Sequence, residues 1–202
     1  SAEKSLKIDK NLAEGYKALG LLFAYAGDSN NSLKYNLKTI QLKPGFVDAI
    51  SNVGGRYRGK GDLSEALEWY KKAYKMDPYN RRNNYHIGFT YQLLGESKIA
   101  EELFLEGILK HNDSYESLNG LVNYHLNNSR SNKAKYYLDE LLRLRPNDNR
   151  TMGVALNYYL KIKDFDNSKK YGLKLKQLNP PAKIRLAYLE RRSGNNTKAN
   201  TY

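Results

Sequence analysis

A recurrence of 34 residues is the feature of this sequence that most restricts its fold. An apolar residue, a charged residue and a proline follow one another at three places, which lie 34 or 68 residues apart: Leu42-Lys43-Pro44, Met76-Asp77-Pro78 and Leu144-Arg145-Pro146. Self-similarity at a fixed period of roughly 20 to 50 residues is typical of arrays in which each unit is one supersecondary element. The 202 residues are therefore expected to form a row of short units, with frames that begin at residues 13, 47, 81, 115 and 149.

Small residues recur at three positions of this frame. The eighth position of the first three units, where a missing side chain lets two helices approach closely, is held by Gly20, Gly54 and Gly88. The fifteenth position, just past the first helix, where a left-handed residue ends a helix, is held by Gly27, Gly61 and Gly95. The twentieth position of all five units is held by Ser32, Ala66, Ala100, Ala134 and Ser168. This pattern predicts two closely packed helices in each unit.

Apolar residues mark the buried face of the first helix in each unit. The seventh position is held by Leu19, Val53, Ile87, Leu121 and Ala155, and the eleventh by Phe23, Tyr57, Tyr91, His125 and Tyr159. With the fourth position they give the spacing of a buried helix face, and no strand-like alternation competes with it. We predict helices over residues 13–26, 29–42, 47–60, 63–76, 81–94, 97–110, 115–128, 131–144, 149–162, 165–178 and 181–193.

The stretch from Asp48 to Pro78 resembles a nearly full tetratricopeptide repeat (TPR). The residues that carry the resemblance are Gly54, Tyr57, Gly61-Asp62, Ala66, Trp69-Tyr70, Ala73 and Asp77-Pro78. The resemblance implies an all-α, right-handed superhelix (α-solenoid) of antiparallel helix pairs. On it we expect a single array, divided into the end of a preceding repeat at 1–12, full repeats at 13–46, 47–80, 81–114, 115–148 and 149–180, and a truncated sixth repeat at 181–202.

Both ends of the array are expected to be incomplete repeats, which would make the chain a piece of a larger protein. The apolar faces around Leu6 and Ile8, and around Leu186 and Leu189, would then be covered by missing repeats or by self-association. Residues 13–20 also resemble the TPR arrays of bacterial signalling proteins, which leads us to expect a regulatory or scaffolding role.

The sequence offers few residues for catalysis. It has no cysteine, which excludes disulfides, thiolate catalysis and thiolate metal sites. Residues 54–60 fit the phosphate-loop spacing GxxxxGK, but Gly61 stands where serine or threonine is needed and no strand is expected before it. None of the three histidines, His86, His111 and His125, has a partner at metal-ligand spacing. We therefore expect no enzyme, no metal and no cofactor.

The resemblance places the binding surface on the concave face, which the first helices line. We expect hydrogen-bond donors, cations and rigid aromatic rings there to bind an extended peptide or a helix. The groove residues are Lys17, Asn52, Arg58, Arg82, Tyr85, His86, Phe89, Asn119 and Asn123. The principal site is expected in the second and third repeats, with binding of a carboxylate that tightens below about pH 6.5 as His86 becomes protonated.

Some TPR domains grip the acidic ends of chaperones with a carboxylate clamp of lysine, asparagine and arginine. The matching positions here hold Lys17, Asn52, Arg82 and His86, but Leu21 replaces an asparagine of the clamp. Chaperone-tail binding is therefore not expected, whereas binding of another acidic peptide stays open.

Positive charge is concentrated near the end of the sequence. The chain carries 34 Lys and Arg against 21 Asp and Glu, a formal charge of +13. The basic patch consists of Lys169, Lys170, Lys174, Lys176, Arg191 and Arg192. Because such a patch suits phosphates, the alternative function is binding of nucleic acid or another anionic surface, which would weaken steeply with salt. No apolar run approaches membrane-spanning length, and no apolar signal-peptide stretch follows residues 1–4. The compartment stays open, with the cytoplasm favoured.

Overall fold

The computed structural model describes Leu6 and residues 9–178. This part of the chain is built of ten helices and contains no β-strand: α1 Ala13–Tyr25, α2 Ser29–Leu42, α3 Val47–Lys60, α4 Leu63–Met76, α5 Asn83–Leu93, α6 Ser97–Lys110, α7 Tyr115–Asn127, α8 Ser131–Leu144, α9 Asn149–Lys161 and α10 Phe165–Leu178. The predicted all-α repeat fold is confirmed. The helix expected at 181–193 lies outside the described residues.

The predicted helix bounds agree with the structure to within two residues. The largest difference is at α5, which begins at Asn83 instead of residue 81. The side chain of Asn80 accepts a hydrogen bond from the backbone N–H of Arg82 (3.1 Å). The side-chain amide of Asn83 donates to the backbone carbonyl of Asp77 (2.6 Å). These bonds hold residues 80–82 in a turn, so the helix starts later than its apolar pattern indicates.

The chain divides into two compact units, residues 1–103 and 104–202. In the first unit α1 packs on α2 and α3 on α4, with further contacts of α2 with α3 and of α4 with α5. Ala66, Leu67, Tyr70 and Ile87 form a buried cluster of this unit. In the second unit α7 packs on α8 and α9 on α10. Its largest buried cluster joins α7, α8 and α9.

The small residues of the frame lie where the helices come closest. All five side chains at the twentieth position are at most 1% exposed. A Cβ atom at Gly54 would lie only 2.9 Å from Cε1 of Tyr70, and one at Gly20 only 2.6 Å from Nδ2 of Asn36. In the second unit a different close approach, between neighbouring frames, is at Gly120, whose Cβ would lie 2.7 Å from the Phe104 ring. A side chain at any of these three positions would therefore force its neighbour to move.

The turns that follow α1, α3, α5, α7 and α9 each contain a left-handed residue. The φ angles are +79° at Gly27, +90° at Gly61 and +87° at Gly95, and the equivalent residues Ser129 and Lys163 have φ angles of +59° and +62°. Residues other than glycine rarely adopt this backbone conformation because it brings Cβ too close to the following carbonyl oxygen. The turns after α7 and α9 thus keep the left-handed conformation without the glycine that favours it.

Lys163→Gly is therefore expected to raise the free energy of unfolding by about 0.5–1 kcal/mol, and Ser129→Gly to act in the same direction. Gly61→Ala is the converse variant, since nothing lies within 4 Å of its added Cβ and only the backbone conformation opposes it. It should lower the free energy of unfolding by a similar amount. Urea titrations would check both signs, and a destabilised Lys163→Gly chain would contradict this explanation of the turn.

Candidate functional site

Five of the predicted groove residues lie on α3 and α5, and a sixth precedes α5. Asn52 and Arg58 belong to α3, and Tyr85, His86 and Phe89 belong to α5, with Arg82 as its N-cap residue. All of them are in the first unit.

The guanidinium of Arg58 lies against two aromatic rings. Its Cζ atom is 5.3 Å from the ring centroid of Tyr70 and 5.0 Å from that of Phe89. At these distances the cation is attracted by the electron-rich faces of the rings. The contacts fix the position of a positive charge contributed by α3 between side chains of α4 and α5.

The aromatic side chains around Arg58 are stacked in pairs. The Tyr70 and His86 rings are 4.9 Å apart and nearly parallel, and the Tyr85 and Phe89 rings are 5.8 Å apart and nearly parallel. Tyr85 also contacts His86 at 5.5 Å. We call these five residues, Arg58, Tyr70, Tyr85, His86 and Phe89, the Arg58 cluster. Tyr70 was not predicted as a site residue because its frame position indicates packing; the adjacent glycines, Gly54 and Gly55, were the available signal.

Several polar atoms of this region are buried and have no hydrogen-bond partner among the described residues. They are Nη1 of Arg58, the hydroxyl of Tyr70, Nδ1 of His86 and Nε of Arg56. Burial raises the pKa of the Tyr70 hydroxyl, while the charges of Arg58 and Arg56 oppose that rise. Buried polar groups are usually paired with protein or with ordered water, so these atoms leave hydrogen-bonding capacity in this region.

His86 is neutral at physiological pH. Burial lowers its pKa to about 3, and the charges of Arg58 and Arg82 act in the same direction. Desolvation and neighbouring cations both disfavour the imidazolium. The expectation that binding tightens below about pH 6.5 through protonation of His86 is therefore wrong.

The pKa of His86 has a consequence for stability. An unfolded histidine titrates near 6.5, so between about pH 6.5 and pH 3 the unfolded state binds a proton that the folded state does not. The free energy of unfolding should consequently fall as the pH drops through this window, by up to about 1.4 kcal/mol per pH unit. His86→Phe keeps the stacked ring without a titrating nitrogen. Parallel urea titrations at pH 7 and pH 5 should show a smaller loss for this variant, and equal losses would contradict the assignment.

Two predicted groove residues are already engaged with other side chains. Nζ of Lys17 lies 3.6 Å from Oδ2 of Asp48, and Nδ2 of Asn52 donates to Oδ1 of Asn36 at 3.1 Å. Asn36 is fully buried and in turn donates to the carbonyl of Ser32. These contacts reduce the capacity of Lys17 and Asn52 to act as clamp residues, whereas Arg82 remains exposed.

The remaining predicted residues lie in the second unit or outside the described part. On α7, Nδ2 of Asn123 donates to both the carbonyl and Oδ1 of Asn119 at 3.0 Å. On α10, the ammonium groups of Lys170 and Lys174 lie 5.8 and 5.6 Å from the Tyr171 ring centroid. The other lysines of the basic patch on this helix, Lys169 and Lys176, are half-buried. Arg191 and Arg192 lie outside the described residues.

The described residues contain no cluster of three histidine, aspartate or glutamate side chains that could hold a metal ion. No helix within the described ranges combines the length and apolar character needed to cross a bilayer.

Comparison with known proteins agrees with the repeat pattern. Residues 54–95, which include the Arg58 cluster, match the family model described as TPR repeat. Protein bimA of Emericella nidulans is 27% identical over 103 residues, which are 51% of this chain and 13% of that protein. The chain thus spans about an eighth of the length of this curated relative.

Solved structures share the fold at low sequence identity. TTC0263, a thermophilic TPR protein of Thermus thermophilus, superposes with a TM-score of 0.79 at 15% identity, over 88% of this chain and 98% of its own. A chain of the APC/C hetero-tetramer Cut9–Hcn1 superposes with a TM-score of 0.76 at 16% identity, over 95% of this chain and 39% of its own. Residues 54–95 are thus similar to a TPR repeat, and the helix pairs described above share the fold of these solved structures.

Proposed function

We propose that the chain is a non-catalytic protein-interaction module that binds an extended or helical segment of a partner protein on the face formed by α3 and α5. The observation that carries the proposal is the Arg58 cluster, in which a cation and three rings at groove-lining positions pack on the buried ring of Tyr70. We further propose that the module consists of the 34-residue repeats set out above and belongs to a larger regulatory protein of bacterial type.

The composition of the cluster supports this function. Tyrosine and arginine are enriched among the residues that contribute most to binding energy at protein interfaces, because they combine a large contact area with directional polar groups. Tyr85, His86 and Phe89 are all half-buried, so a partner can cover the surface that remains. The Cut9–Hcn1 chain that resembles this one forms part of a hetero-tetramer, which agrees with a role in protein association.

The charges favour an acidic partner. Neither Arg58 nor Arg82 has an ion-pair partner within the described residues, in contrast to Lys17, which lies beside Asp48. An acidic segment would supply the missing negative charge and would be attracted by the net charge of +13. We therefore propose an acidic peptide or protein surface as the partner.

The test is an Arg82→Ala, Phe89→Ala double variant, measured against the partner captured by the wild-type chain. We expect at least a tenfold loss of affinity, since both changes remove contacts at the centre of the proposed interface. The comparison is a variant in which Lys169, Lys170, Lys174 and Lys176 are replaced by glutamine, with circular dichroism to verify folding. Unchanged binding by the first variant, and loss by the second with a steep dependence on salt, would transfer the function to the basic patch and to anionic ligands.

A further inference from the structure

The side of α2 that carries Leu33 and Leu37 borders an open groove. The groove has a volume of about 700 Å³, and its walls include Tyr16 of α1 and Leu33, Lys34, Tyr35, Leu37 and Lys38 of α2. The Tyr16 and Tyr35 rings are stacked with their centroids 6.2 Å apart. Leu37 is 39% exposed, so the groove is open to solvent along the helix. The groove is separate from the Arg58 cluster and has no part in the proposed function.

Two lysines make the groove cationic. Nζ of Lys34 lies 5.7 Å from the Tyr35 ring centroid, and Nζ of Lys38 donates to Oε1 of Gln41 at 3.0 Å. Both contacts are with uncharged groups, and α2 contains no aspartate or glutamate. Complementary interfaces place negative groups opposite positive ones. An occupant of the groove must therefore present apolar side chains together with negative charge.

The chain presents that combination on α6. Leu105 and Leu109 are about one helical turn apart and are 38% and 83% exposed. Glu102 and Glu106 each precede one of these leucines by three residues, which places all four side chains on one side of the helix. Glu102 is exposed, and Oε1 of Glu106 lies 2.6 Å from Nζ of Lys110 in a surface ion pair, which contributes little to stability. This face of α6 is thus both apolar and acidic.

The two faces occupy the same positions of the 34-residue frame with opposite charges. Positions 22, 25 and 26 are held by Lys34, Leu37 and Lys38 in the first frame and by Glu102, Leu105 and Glu106 in the third. The equal spacing lets the lysines of one face meet the glutamates of the other while the leucines pack between them. Contact of either face with a copy of itself would oppose like charges instead. A second copy of the chain therefore supplies a matching occupant for the groove.

The openness of the groove favours a helix over a small ligand. Sites for small molecules bury about 70–90% of the ligand surface. An amphipathic helix needs only its apolar face covered, and an open groove along another helix can cover it.

We propose that α2 of one copy of the chain docks on α6 of a second copy. Leu105 and Leu109 of α6 enter the groove, and the two glutamates of α6 pair with the lysines at its rim. The contact joins two different surfaces, so it can continue from copy to copy. It covers a single helix face and is smaller than a standard interface. We therefore expect weak association, with a Kd on the order of 100 μM.

Sedimentation equilibrium with two charge-reversed chains tests the contact. The mass of the wild-type chain should rise with concentration between about 20 μM and about 1 mM. Salt at about 0.15 M screens the general repulsion between copies of charge +13. A Lys34→Glu, Lys38→Glu chain presents acidic faces on both helices. A Glu102→Lys, Glu106→Lys chain presents basic faces on both. Each chain alone should stay monomeric, whereas an equimolar mixture should associate again, because every contact between unlike chains joins opposite charges.

The matched control is Lys71→Glu, Lys72→Glu on α4. Both lysines are exposed, and their reversal changes the net charge by the same amount as reversal of the two α2 lysines. The control should leave the Kd of the wild-type chain unchanged, because α4 takes no part in the contact. Circular dichroism should show equal helix content in all four chains.

A wild-type chain that stays monomeric at about 1 mM would overturn the proposal. Association that persists in both reversed chains, or a mixture that fails to associate, would do the same. Equal loss of association in the α4 control would reduce the effect to net charge and would also contradict the contact. If the wild-type chain stays monomeric and instead binds dodecanoate, with NMR shifts at Tyr16 and Leu37, the groove belongs to an anionic amphipath.

Discussion

Ala66→Arg is expected to unfold the helices around α4 while helices remote in sequence keep most of their structure. Ala66 is fully buried and belongs to the core cluster with Leu67, Tyr70 and Ile87. An arginine there must overpack the core and bury an unpaired charge, which should cost more than about 3 kcal/mol. Because each repeat packs only on its neighbours, the loss should be local. Hydrogen exchange should show lost protection over residues 47–93 and retained protection over 131–161.

Ser64→Arg is the matched control, since it introduces the same side chain at an exposed position of the same helix. It should change the free energy of unfolding by less than about 0.5 kcal/mol. Simultaneous loss of protection in all helices of the Ala66→Arg chain would contradict a stability that is built from neighbouring repeats.

Phe104→Ala should lower the free energy of unfolding by about 3–5 kcal/mol. It should also reverse the sign of the stability change that Gly120→Ala causes. Phe104 is fully buried, and its ring lies 2.7 Å from the position of a Cβ at Gly120. Gly120→Ala should therefore destabilise the wild-type chain, because the ring has no room to move. In the Phe104→Ala background the clash is absent, and the helix preference of alanine over glycine should stabilise by about 0.5–1 kcal/mol.

Gly59→Ala is the control for that helix preference. Gly59 lies on α3, is exposed, and has nothing within 4 Å of an added Cβ. Alanine there should stabilise the wild-type chain by about 0.5–1 kcal/mol. A Gly120→Ala effect of the same sign and size with and without the Phe104 ring would contradict the packing account.

The fold was predictable because its signals are local. The period of 34 residues and the apolar spacing determine the helices, and nearly all of their bounds follow directly. The left-handed conformation of Lys163 could not be read from residue type, since it is imposed by the turn between α9 and α10. Gly120 was also missed, because its importance depends on Phe104, a residue of the preceding repeat.

The candidate site was predictable only as a list of residues. Their roles depend on contacts between repeats, which residue identity does not reveal. Lys17 is paired with Asp48, Asn52 donates a hydrogen bond to Asn36, and His86 is kept neutral by burial and two arginines. Tyr70 joins the site only because glycines let its ring reach α3.

Site-specific photocrosslinking tests the proposed binding face most directly. p-Benzoylphenylalanine is placed at Leu93, an exposed residue of α5 one turn after Phe89, and in separate chains at Tyr79 and Lys174. Tyr79 is an exposed aromatic control after α4, and Lys174 represents the basic patch. The account predicts that the partner crosslinks to the Leu93 chain and not to the Tyr79 chain. Crosslinking from Lys174 without any from Leu93 would contradict it.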